Sequence, residues 1–141
     1  MPIFDAIVKD EPEVFVFLGD NIYGDTEDMS VLKEKYETLG RHPGFKKLKA
    51  TSELIAIWDD HDYGENDAGK DYPQKEASRK LMLDFWDEDK NSPRYTNAGI
   101  YTSYTYGTGD NIVRVIMPDL RWNRDTLHDV GKLNYLTSRR G

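Results

Sequence analysis

Apolar positions along this chain alternate between short continuous runs and helically spaced stretches. Val14-Phe15-Val16-Phe17-Leu18 is a continuous run of β-branched and aromatic residues that stops at Gly19-Asp20, the pattern of a strand buried on both faces. From Ser30 to Leu39 the apolar residues Val31, Leu32, Tyr36 and Leu39 recur at helical spacing, which predicts a helix with Ser30 as N-cap and Gly40 as its stop. Leu54-Ile55-Ala56-Ile57-Trp58 predicts a second buried strand, running directly into Asp59-Asp60-His61-Asp62. Lys75 to Trp86 places Ala77, Leu81, Phe85 and Trp86 within a helical period. Ile100 to Tyr106 then alternates like a half-exposed strand, and Ile112 to Met117 continues the sheet up to Pro118-Asp119.

This order of strand, helix, strand, helix and further strands predicts an α/β layered fold. Ligands of such sheets gather outside the carboxyl ends of the strands. Two acidic loops and the Asp119 to Arg121 segment all follow strand ends, so three polar clusters are expected to meet on one rim.

Composition narrows the chemistry. A chain of 141 residues, 38% hydrophobic and 12% aromatic, fits one domain with a real core, although 32% charged residues and a mean hydropathy of -0.76 give it a very polar surface. A formal net charge of -7 and the lack of a basic run argue against nucleic acid binding and favour cations. With no cysteine, any metal must be held by oxygen and imidazole ligands. No apolar run approaches the length of a signal segment or a membrane span, so the sequence reads as soluble.

The first acidic loop, Gly19-Asp20-Asn21-Ile22-Tyr23-Gly24-Asp25, packs several oxygen donors behind a strand. A carboxylate there can bridge two hard cations, and Tyr23 can add a phenolate. Taken alone, the loop also reads as a turn, with Gly19 and Gly24 shaping it and Asp20 and Asn21 capping backbone N–H groups. The second loop, Trp58 to Asp67, holds five carboxylates: Asp59, Asp60, Asp62, Glu65 and Asp67. Such crowding is unfavourable unless cations or strong hydrogen bonds offset it. His61 in its midst can ligate a metal or donate to a substrate oxygen.

Two look-alikes fail on inspection. Gly64 to Lys70 has P-loop spacing, but Asp71 stands where a Ser or Thr belongs and the loop interior is acidic. An EF-hand register begun at Asp60 puts Glu65 where the turn glycine is required. There is also no G-x-S-x-G elbow, which leaves metal-activated water as the expected nucleophile.

GDNIYGD resembles the GDxxY block of metallophosphoesterases, and WDDHDYG is similar to their GNHD/E block in its alkaline phosphatase D form. PDLRWNRD looks like the LDxR segment of the same group, and NDAG is also familiar from it, so the resemblance runs from about Glu13 to Asp125. It implies a partial metallophosphoesterase-type α/β/β/α sandwich, with residues 1–141 forming a single partial domain. By the resemblance, Asp20 bridges two metals, Tyr23 and Asp60 bind metal, Asn66 is a further ligand, His61 faces phosphate and Arg121 clamps it. The implied cofactors are calcium and iron, with manganese or zinc as alternatives. The implied substrate is a small-molecule phosphate ester, attacked at phosphorus by metal-activated water, and such relatives are often secreted or periplasmic.

The departures are equally specific. No Asp-x-His motif lies upstream of Val14 and no GHxH block lies downstream, so the first metal lacks a ligand and the chain reads as the middle of a larger enzyme. That leaves two alternatives, a catalytically silent cation-binding domain and a purely structural fragment with uncovered sheet edges. The remaining histidines, His42 and His128, read as surface residues, and Trp58, Trp86 and Trp122 as core or rim packing.

Overall fold

The structure, a computed structural model, describes residues 2–126. Its first strand pair forms a crossover unit. Strand β1 (Val14–Phe17) leads through helices α2 (Met29–Arg41) and α3 (Pro43–Thr51) to β2 (Glu53–Ala56), which returns parallel to it. Phe15 pairs with Leu54 and Val16 with Ile55, and the Ile57 amide extends the ladder to the Phe17 carbonyl at 3.0 Å. Helix α1 (Pro2–Lys9) precedes β1 and packs on α3, while α4 (Asp60–Tyr63) and α5 (Lys75–Phe85) follow β2. The described chain closes with an antiparallel hairpin of β3 (Thr102–Tyr106) and β4 (Val113–Met117).

The fold is thus mixed helix and strand, as expected, but the strands pair as two separate two-stranded sheets instead of one continuing sheet. β1 is half-buried along its length, and Leu18, expected inside, is 77% exposed. The reason lies in the pairing: among the described residues β1 has a hydrogen-bonded neighbour on one side only, so its apolar run is covered incompletely. β2 fits the buried pattern better, with Ile55, Ala56, Ile57 and Trp58 all in the core.

Local signals explain the helix bounds. α2 starts two residues earlier than expected because Asp28, not Ser30, is the N-cap, its Oδ1 accepting from the Ser30 amide at 2.8 Å. Gly40 does not stop it. That position packs beneath Phe85, where an added Cβ would lie 3.1 Å from the ring, and the helix ends at Arg41. His42 then closes α2 and opens α3, its Nδ1 accepting from the Gly44 amide at 3.1 Å with Pro43 in the first turn. It is a half-buried cap packed against Phe4, not the surface residue its polar surroundings suggested. His128 lies outside the described residues.

Two apolar clusters hold these elements. The larger gathers Leu32, Tyr36, Ile55 to Trp58, Tyr63, Met82, Leu83, Ile100 and Trp122. The smaller joins Phe4 and Val8 of α1 to Phe45 and Leu48 of α3. Phe17, Phe85 and Trp86 pack against both. Trp58 and Trp122 are buried and stack nearly parallel, 6.3 Å apart, with the Arg79 guanidinium 4.6 Å from the Trp122 ring. Packing is what these tryptophans do.

Candidate metal centre

Three loops converge at the carboxyl ends of β1, β2 and β4. Gly19 makes this possible. Its φ of +111° is in the left-handed region, and a Cβ there would stand 2.6 Å from the Cβ of Asp59, so the two strand-end loops touch where only a glycine fits. Farther along, the Gly24 amide donates to the His61 carbonyl at 3.0 Å and the Thr26 amide to that of Gly64 at 2.9 Å. These bonds fix the first loop against α4.

The third loop is tied by Asp119. Its Oδ1 accepts from Trp58 Nε1 at 3.0 Å and from the amides of Arg121 and Trp122, while Oδ2 accepts from the Ile100 amide at 2.8 Å. Arg121 is thereby aimed at the second loop. Its Nε donates to Asp59 Oδ1, its Nη2 lies 3.3 Å from Asp60 Oδ1, and its buried Nη1 has no partner among the described residues.

Asp62 plays the matching part underneath. It is fully buried and accepts from the Asp59 amide at 2.6 Å, from Asn21 Nδ2 at 2.5 Å and from the Asn21 amide at 3.2 Å. Burial pushes its carboxyl up to about 7 against the pull of those donors. Asn21 also donates to the Ile57 carbonyl at 2.9 Å, so Asp62 and Asn21 act as a buried clasp between the first two loops.

The outcome is a cluster of Asp20, Asp60 and His61, each offering one ligand atom within 4.8 Å of the other two. Asp20 has a φ of +49° and a buried Oδ1 with no hydrogen-bond partner among the described residues. Asp60 is buried. Its burial raises the carboxyl, but the Asp67 amide at 2.8 Å, with Arg121 and His61, outweighs this and holds it below the usual range. His61 Nδ1 lies 2.5 Å from Asp25 Oδ1, and this bond chiefly raises the imidazole above its ordinary value. With Nδ1 engaged, Nε2 is the nitrogen left for a ligand.

Of the residues singled out in the sequence, Asp20, Asp60 and His61 come together and Arg121 grips the second loop beside them. Tyr23 stands next to the cluster, its ring 4.4 Å from that of His61 and its side chain largely exposed. Asn66 is exposed, and its amide donates to Asp67 at 3.3 Å. Asp25, which orients His61, and the organising roles of Asp62 and Asp119 have no signal in the sequence, while Asn21, expected to cap backbone N–H groups, instead donates from its amide to Ile57 and Asp62. All lie inside the quoted motifs, but only tertiary contact reveals their partners.

No protein-family profile, curated protein or solved structure matches this chain. No helix among the described residues is long and apolar enough to cross a membrane.

Proposed function

We propose that this chain carries the metal centre of a phosphoric ester hydrolase of the alkaline phosphatase D kind, on the layered α/β/β/α architecture of the metallophosphoesterases. The observation that carries the reading is Asp20: one buried carboxylate oxygen has no hydrogen-bond partner among the described residues, and the side chain offers a ligand atom within 4.8 Å of those on Asp60 and His61. Two ligands of one ion, each about 2.0–2.6 Å from it, lie at most about 5 Å apart, so the cluster is the right size for a single cation. Its donors, two carboxylates and an imidazole, suit calcium, iron, manganese or zinc.

Asp20, Asp60 and His61 would hold the ion. When bound, such an ion polarises a phosphoryl oxygen and makes water acidic enough to serve as nucleophile near neutral pH. The chain's own residues do the rest. Asp25 fixes the imidazole tautomer and keeps His61 basic, the usual arrangement for a metal-directed histidine. Arg121 holds Asp59 and Asp60 in place and brings a positive charge to the rim, where a phosphate ester would be drawn. Tyr23 and Asn66 enter the proposal as further ligands on the strength of the resemblance.

A second reading, cation binding without turnover, is favoured by one observation. Among the described residues, Asp20, Asp60 and His61 form the one group of three or more His, Cys, Asp or Glu suited to an ion, a set of the size that a single ion takes. One experiment separates the readings. Calorimetry with calcium, manganese and ferric salts is expected to give saturable heats that an Asp20→Ala, Asp60→Ala double variant loses. Hydrolysis of a chromogenic phosphomonoester and a phosphodiester with the same salts is expected to fall by about two orders of magnitude in His61→Ala. Equal heats from wild type and double variant end the metal reading. Heats without His61-dependent hydrolysis leave cation binding alone.

A further inference from the structure

A groove of about 250 Å³ is lined by Ile22, Tyr23, Lys35, Thr38, Leu39 and His42. Four of these, at positions 35, 38, 39 and 42, fall three and four residues apart and so form one stripe along α2 and its cap. The remaining wall is Ile22 and Tyr23 of the first acidic loop.

Three features bear on what this groove takes. Tyr23 belongs both to the groove and to the site, because its ring lies 4.4 Å from the His61 ring. The surface is largely apolar: buried Ile22, half-buried Leu39 and the Tyr23 ring make a flat, non-polar slot. Lys35 is among the lining residues, exposed and with no ion pair or hydrogen bond among the described residues. In a chain of net charge -7, a lone cation over an apolar slot selects for an anion joined to a non-polar body. A volume of about 250 Å³ suits a single ring.

We propose that this groove is the leaving-group subsite of the candidate hydrolase site, and that it takes a ring-sized apolar group bearing a carboxylate. The proposal rests on the phosphoesterase reading, and it names the ester class: an aryl phosphate with a negatively charged ring substituent. The phosphate lies at Asp20, Asp60 and His61, the ring passes over Tyr23 against Ile22 and Leu39, and the carboxylate meets Lys35.

The test begins with the leaving group alone. In NMR titrations of the methyl-labelled chain, 4-hydroxybenzoate is expected to shift the Ile22 and Leu39 methyls saturably and to bind about fivefold tighter than phenol, the scale of one exposed ion pair. Lys35→Glu should abolish that preference, and Thr38→Trp, at an exposed position on the groove wall, should block both ligands. Absence of saturable shifts, or shifts that survive both substitutions, overturns the subsite. Hydrolysis then tests continuity with the site. The KM for 4-carboxyphenyl phosphate should lie about fivefold below that for phenyl phosphate in the wild type and not in Lys35→Glu. Equal KM values overturn the subsite while leaving the phosphoesterase reading intact. Binding of 4-hydroxybenzoate with hydrolysis of neither ester overturns the phosphoesterase reading, and the leaving-group assignment falls with it.

Discussion

Asp84 shows how a single side chain couples this molecule to pH. It lies on α5, where the ammonium groups of Lys80 and Lys90 and the Tyr95 hydroxyl, at 2.9 Å, all donate to its carboxylate. Partial burial alone would raise its pKa, but the three donors outweigh it and hold the group down at about 2. A carboxylate depressed in the folded state adds stability above its unfolded value near 3.8, and that stability is lost as pH falls toward 2. Asp84→Asn is therefore expected to lower stability by about 1 kcal/mol at pH 7, the full shift being discounted because the pair is partly solvated. Urea unfolding at a series of pH values checks this: the gap between the proteins should close between about pH 4 and pH 2. A gap that stays constant over that range would mean that packing, not charge, is what Asp84 contributes.

At the scale of elements, the junction of β1 with its acidic loop decides whether the site exists. Gly19→Ala introduces a methyl 2.6 Å from Asp59 Cβ and 2.8 Å from its amide nitrogen, at a φ that L-residues avoid. Strain and overpacking together are expected to cost about 3 kcal/mol and to part the first loop from the second. Urea unfolding measures the first effect and loss of calorimetric metal heats the second; a Gly19→Ala variant as stable as wild type would show that the loops are not in forced contact. The elements bearing these loops were legible to different degrees, for physical reasons. α2 and α5 announce themselves by helical period, β3 by alternation, and β2 by a continuous apolar run. α3 does not, because Pro43-Gly44 reads as a turn until His42 is seen to cap it and Pro43 to occupy its first turn. α1 and α4 are eight and four residues long, too short for a period to stand out. The acidic residues of the site were visible as a crowd. Their division of labour was not: among the described residues Asp20 Oδ1 has no hydrogen-bond partner, while Asp62 and Asp119 are consumed by structural hydrogen bonds.

For the whole molecule, the question is whether two apolar clusters behave as one. Phe45 of the smaller cluster touches the rings of Phe17, Phe85 and Trp86, which also pack against the larger. Phe45→Ala should remove about 3–5 kcal/mol, a large share of the roughly 5–15 kcal/mol typical of a domain. If the clusters are one cooperative unit, fluorescence and circular dichroism will report a single, coincident unfolding transition shifted to lower urea. Two separated transitions would show that the helices α1 and α3 melt independently. The clasp of Asn21 on Asp62, the Asp25–His61 bond and the Arg121–Asp59 pair join positions 41, 36 and 62 residues apart. Closing such wide loops costs chain entropy before any local contact returns it, so these bonds are expected to come late on the folding path, after the helices between them. A newly made chain would therefore acquire its secondary structure first and its cation-gripping acidic crowd last, sparing the collapsing polypeptide the repulsion of carboxylates drawn together before their partners have arrived.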